Sequence, residues 1–228
     1  MAEYALLLGI DTCGPSGSVA LGRLAAGAVE IFGQIELEGR SYSATLVAAV
    51  GEVLEHAGVE LREVGGIVAV SGPGSFTGVR VGVSAVKGLA EAARIPVVTV
   101  SRLEVLAAKA GVASSALDAH RHEVFLRLGR PDEEPQELLA GAQELVAIEP
   151  PAQIAVCDDA AAVLLAAAWP AAELFMVPEP TAADALVLCA LRIAAGQFTD
   201  VALLDGHYLR RSDAEIFGEP VAATPERA

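Results

Sequence analysis

The chain has 228 residues, 54% of them hydrophobic, with a mean hydropathy of +0.50, enough for a sizeable core in one large or two small domains. Its formal net charge of −15, from 30 acidic against 15 basic residues, excludes a chain that grips a phosphate backbone alone, because that grip is made by Lys and Arg clusters. Three widely spaced cysteines suggest neither a disulfide scaffold nor a zinc site, no apolar run approaches the roughly 20 residues of a membrane helix, and the acidic start at Glu3 has no leader character, so a reducing cytoplasm is the expected compartment.

Tyr4 to Ile10 is an apolar run that predicts a first strand. Asp11-Thr12-Cys13-Gly14-Pro15-Ser16-Gly17-Ser18 is a polar turn, and Val19 to Gly22 begins a second strand, so the chain opens with a β-hairpin. Ala28 to Leu37 supplies a third strand. Ser43 to Ala57 has helical periodicity: Leu46, Val47, Val50, Val53 and Leu54 make a core-like stripe. Ala44, Ala48 and Gly51 make a second line of small residues.

Ile67-Val68-Ala69-Val70 predicts a buried strand, and Ser71-Gly72-Pro73-Gly74-Ser75 a tight turn. Ser75 is placed to cap a helix running to about Ala93, ahead of Pro96. Strand, glycine-rich turn and helix present N–H groups to an anion. The spacing is not a Walker A loop, since Val79 stands where its Gly-Lys pair begins. It is not a nucleophile elbow, since Pro73 and Thr77 flank Ser75. Gly78, Gly82 and Ala85 leave one helix face nearly bare. A glycine inside a helix costs about 1 kcal/mol against alanine. The stripe therefore implies close backbone approach, by this domain's own sheet or by a second protein.

Val97 to Val100 predicts a strand and Arg102 to about Ala110 a helix. Ala116 to Leu126 repeats strand, acidic turn and strand around Asp118. His120 and His122, two apart, share a strand face, but no further ligand completes a metal set. Glu137 to Val146 predicts a helix, Ile154 to Cys157 a strand, and Ala160 to Ala168 a helix capped by Asp158 or Asp159. Phe175 to Val177 is a short strand, and Thr181 or Asp184 opens a helix ending near Gly196. Arg210 and Asp213 stand three apart as a local pair, and Pro220 to Ala228 has the composition of a frayed end.

SGPGSFTGVRVGVSAVKGLA, from Ser71 to Ala90, closely resembles the signature of the TsaB (YeaZ) family of bacterial tRNA threonylcarbamoyladenosine biosynthesis proteins. Asp118-Ala119-His120 to Phe125 resembles the family's Asp-Ala-Arg-x-x-Glu-Val-Tyr segment, with His120 and Phe125 as departures. Tyr208 to Glu215 resembles its closing Tyr-Leu-Arg-Arg-Ser-Asp-Ala-Glu segment, with Gly206 where proline is usual. The family's histidine-serine-glutamate run is replaced by Ser41-Tyr42-Ser43-Ala44. The resemblance implies an α/β fold of two actin-like (ASKHA, ribonuclease H-like) subdomains, each a mixed sheet flanked by helices. Residues 1–100 would form the first, with the partner helices, residues 101–215 a degenerate second, and residues 216–228 a disordered tail.

By the same resemblance the chain is a non-catalytic subunit with no catalytic residue, metal or cofactor of its own. ATP and metal are expected on partner subunits. The implied partners are a TsaD-like paralogue and, through the complex, a TsaE-like ATPase, with a homodimer when alone and tRNA met only indirectly. The implied partner surface is Ala44, Ala48, Gly51, Glu55, Gly78, Gly82 and Ala85. Asp11, Thr12, Ser16, Gly17 and Ser18 match the family's degenerate nucleotide-binding hairpin. Ala119-His120-Arg121 lack the glycines of a second phosphate loop, and Asp158-Asp159 would repel a phosphate. The alternatives are a small actin-like ATPase or kinase using the Asp11 hairpin, and a peptidase, for which the sequence offers neither nucleophile and base nor metal.

Overall fold

The computed structural model describes residues 4–39 and 41–210. Strand β1 (Tyr4–Asp11) folds back on β2 (Ser16–Ala25), with Leu8 opposite Leu21 and Asp11 opposite Ser18. Strand β3 (Ala28–Glu38) extends this meander antiparallel to β2. Helix α1 (Tyr42–Ala57) then crosses to β4 (Val64–Val70), and α2 (Phe76–Ala93) crosses to β5 (Val97–Val100). Both crossovers return parallel strands, which a tight hairpin cannot connect. The sheet order is β3-β2-β1-β4-β5.

The second half repeats the plan. Helix α3 (Arg102–Ala110) leads to β6 (Ser115–Asp118), β7 (Glu123–Leu128) and β8 (Gln136–Gly141). Short helix α4 (Ala142–Ala147) precedes β9 (Gln153–Val156), and α5 (Asp159–Ala168) precedes β10 (Glu173–Met176). The order β10-β9-β6-β7-β8 gives a second mixed five-stranded sheet. The chain is therefore mixed α/β, with two such sheets flanked by helices.

Helix α6 (Ala182–Ala194) does not stay with the second sheet. Ala182, Ala185, Leu186, Cys189 and Ile193 join the core formed by β1, β2 and β4, and Thr199 bridges to Val97. A cut at residue 100 is therefore not clean. Alternation along β1 explains how both faces are covered. Leu8 shares a face with Leu21 and Gly33, and Gly33 lies against Val53 of α1. Gly9 points the other way, where a side chain would collide with Ala182 and Leu186 of α6.

Two further expectations change. Glu137 to Gly141 is strand rather than helix, because β8 pairs with β7 and sets Glu137 opposite Arg127 at an ion-pair distance of 2.8 Å. Val47 is not core: it is 68% exposed, at the edge of the stripe in which Leu46 and Val50 are buried. Asp213, the partner expected for Arg210, and the tail at 216–228 fall outside the described residues.

Candidate functional site

A cavity of about 800 Å³ opens between the two sheets, lined among others by Tyr42, Phe76, Arg102, Asp118, Phe125 and Tyr208. The turns after β1 and β4 close on each other at one wall. Ser75 N–H donates to the Cys13 carbonyl at 2.7 Å, and Ser75 Oγ accepts the Gly78 N–H as the cap of α2. A side chain at Gly74 would strike Cys13, so this approach requires glycine.

The expected nucleotide hairpin lies on this wall, and each member is engaged inside the chain. Asp11 is 1% exposed and accepts the Cys13 N–H on Oδ1 at 2.8 Å. Thr12 Oγ1 donates to the Gly78 carbonyl at 2.7 Å. Ser16 Oγ donates to Glu179 at 3.2 Å, and Ser18 Oγ accepts the Ala182 N–H at 2.8 Å. Gly17 leaves room for the Tyr42 ring, whose hydroxyl donates to the Gly14 carbonyl at 2.9 Å.

Arg102, 4% exposed, lies across this hairpin. Its Nε is 3.5 Å from Asp11 Oδ2 and its Nη2 is 3.0 Å from Glu179 Oε2. Burial raises the Asp11 carboxyl above its ordinary range, and the neighbouring guanidinium limits the rise. A side chain at Gly14 would strike the same guanidinium. A metal-bound phosphate at Asp11 does not fit: a fixed cation already lies against the carboxylate, and Asp11 is almost sealed from the cleft.

The second hairpin presents the opposite wall. His120, Arg121 and His122 take left-handed φ values of 60°, 58° and 61°, the backbone shape glycines take without strain. Their side chains remain, and all three residues are exposed. Asp158 caps α5 through the Ala161 N–H at 2.7 Å and accepts the Asp118 N–H at 3.0 Å, tying two loops together. Among the described residues no group of three His, Cys, Asp or Glu side chains forms a metal site.

Ser101, Glu137 and His207 meet at the cleft edge. Ser101 Oγ donates to Glu137 Oε2 at 2.7 Å, and His207 Nε2 lies 2.7 Å from that same oxygen. Burial pushes Glu137 up, but hydrogen bonds from His207, Ser101 and Arg127 outweigh it and hold the carboxyl below its ordinary value. Serine and histidine thus share a carboxylate, whereas a nucleophile needs its proton on the base. Ser101 is also the cap of α3. The set joins the two halves and is not a hydrolytic triad.

The second candidate is the outer face of α1 and α2. Ala44, Ala48, Gly51 and Glu55 are exposed with Val47 among them, and a side chain at Gly51 would meet nothing within 4 Å. On α2 the open ridge is Arg80, Ser84 and Gly88, with Ala85 half-buried beside it. Gly78 and Gly82 are the correction. Both are buried, and a side chain at either would land on Thr12. Their bare stripe receives the end of β1 inside this chain and is withdrawn from the outer surface.

Comparison with known proteins now decides the family. The family model described as TsaD: tRNA N6-adenosine threonylcarbamoyltransferase matches residues 35–187, more than half of the chain. A curated TsaB protein of Haemophilus influenzae is 35% identical over 96 residues, covering 40% of this chain and 41% of the relative. A TsaB of Bacillus subtilis is 34% identical over 126 residues, 54% of each. A solved structure of YeaZ from Pseudomonas aeruginosa superposes with a TM-score of 0.70 at 27% identity, covering 90% of this chain and all of that one. The chain belongs to the TsaB (YeaZ) family, in the actin-like ATPase superfamily. It spans about half the length of the curated TsaB relatives it matches. Within that family framework, sequence reasoning missed Arg102, Glu179, Val47 and Gly88. Nothing local marks Arg102 as the cation that meets Asp11.

Proposed function

We propose that this chain serves tRNA threonylcarbamoyladenosine synthesis as a non-catalytic subunit that pairs with a TsaD-type paralogue. The observation that carries this reading is Arg102, buried against Asp11 where an actin-like enzyme would need an open carboxylate for its metal. ATP and metal then belong to partner subunits, a TsaE-type ATPase among them, and tRNA is met through the complex. The net charge of −15 supports that division. The pairing surface is the outer face of α1 and α2: Ala44, Val47, Ala48, Gly51, Glu55, Ala85 and Gly88 expose enough small residues for another helix pair to approach closely. The same face makes a homodimer in the absence of the paralogue. Among the described residues no helix is long and apolar enough to cross a membrane, and the cytoplasm remains the proposed compartment.

Titration of the isolated chain with magnesium and ATP, followed by calorimetry and phosphate release, tests the non-catalytic part. The expected result is neither heat of binding nor turnover. Turnover that disappears in Asp11→Ala would replace this reading with the ATPase or kinase alternative.

A further inference from the structure

The last described segment carries an aromatic side chain to the start of α2. Thr199 N–H donates to the Val97 carbonyl, Leu204 is buried in the first core, and His207 N–H donates to the Ser71 carbonyl at 2.7 Å. Beyond Tyr208, Arg210 donates to the Ala119 carbonyl at 2.7 Å and pairs with Glu123. Tyr208 is therefore held from both sides, by the first sheet and by the turn of the second hairpin. Its ring centroid lies 4.9 Å from that of Phe76, tilted 46°. One turn along α2, the Arg80 guanidinium carbon sits 3.9 Å from the centre of the Phe76 ring.

Gly206 makes this stack possible. A side chain there would come within 2.5 Å of the Tyr208 ring and 2.6 Å of Val79. A guanidinium held over a ring satisfies none of its N–H donors by that contact. They stay available for a carboxylate, which guanidinium groups bind in bidentate fashion. Arg80 is exposed and shares its ridge with Ser84 and Gly88, where little side-chain bulk keeps another helix away.

We propose that Tyr208 is a positioning residue for the pairing face: through Phe76 it holds Arg80 where it meets an acidic side chain of the partner helix. This rests on the pairing reading above and adds the chemistry of one contact in it. The segment from Thr199 to Arg210 thereby links the cleft wall to the outer face of α2.

The test is a calorimetric double-mutant cycle with the TsaD-type paralogue of the same genome as the probe. Arg80→Ala, Tyr208→Ala and Gly206→Ala are each expected to weaken binding about threefold to tenfold. Tyr208→Phe restores it, and the Tyr208→Ala, Arg80→Ala double variant binds no worse than Arg80→Ala alone. Additive losses would overturn this inference and leave the pairing intact. Absence of any complex with the parent would overturn both. The free chain gives a second readout. Ring current from Phe76 shifts the Arg80 Nε–H resonance, and Tyr208→Ala and Gly206→Ala return it toward the position of an unstacked arginine. An unmoved resonance in these two folded variants would overturn the inference whatever the partner does.

Discussion

Arg102→Met is expected to destabilise the fold by about 3–5 kcal/mol, the range for removing one partner of a buried ion pair. Asp11 and the Arg102 side chain are 1% and 5% exposed, so water does not take over when the guanidinium is removed. Methionine fills much of the volume but leaves Asp11 buried with no cation and removes the hydrogen bond to Glu179. The sign with pH follows from burial. Asp11 already holds its proton more tightly when folded than the ordinary value of 3.8, and losing Arg102 strengthens that preference. The deficit should therefore be smallest below that ordinary value and grow as pH rises through the raised folded one. Adding Asp11→Asn should recover most of the loss, because a neutral amide costs less to bury. Urea unfolding at several pH values measures both effects. A loss under about 1 kcal/mol, flat with pH, would mean that the pair behaves as an exposed one and that Arg102 does not seal Asp11.

Gly78→Ala and Gly51→Ala should move stability in opposite directions, although both replace glycine in a helix. Alanine gains about 1 kcal/mol of helix propensity at either site. At Gly78 the added methyl would lie on the Thr12 carbonyl oxygen and 3.3 Å from the Tyr42 ring. The oxygen belongs to backbone at the end of β1 and has little freedom to yield. Overpacking of this kind costs about 1–3 kcal/mol and more against backbone, so a net loss of about 2 kcal/mol is expected. At Gly51 nothing stands within 4 Å, and a gain of about 0.5–1 kcal/mol is expected. Denaturation midpoints of the two variants check this directly. Stabilisation by Gly78→Ala would show that the Gly78 stripe faces outward after all.

Much of the fold is legible in local pattern. The apolar run at Tyr4 to Ile10, the β-branched run at Ile67 to Val70 and the cap at Ser75 each decide an element through nearby residues. Less legible are features set by distant contacts. Glu137 has helical neighbours in sequence, yet Arg127 across the ladder makes it strand. Val47 fits the helical stripe at its edge, and only the placement of the sheet turns it outward. Gly78 and Gly82 announce close approach, but a bare stripe carries no name for what approaches. The stripe alone left this domain's own sheet and a second protein open, the family resemblance pointed to a partner, and the structure gives both glycines to Thr12. The acidic hairpin was readable from Asp11 to Ser18. Its closure by Arg102 and Glu179 was not, because those residues lie far along the chain and carry no motif.

The most direct test of the pairing account is light scattering after size exclusion, with the chain mixed with the TsaD-type paralogue. Parent and Val47→Glu should be run side by side. Val47 is 68% exposed, so the charge should leave the fold and its circular dichroism unchanged. The account predicts a one-to-one complex with the parent that Val47→Glu abolishes. No complex with the parent, or one that survives Val47→Glu unchanged, would contradict the assignment of the α1 and α2 face as the surface through which this chain acts.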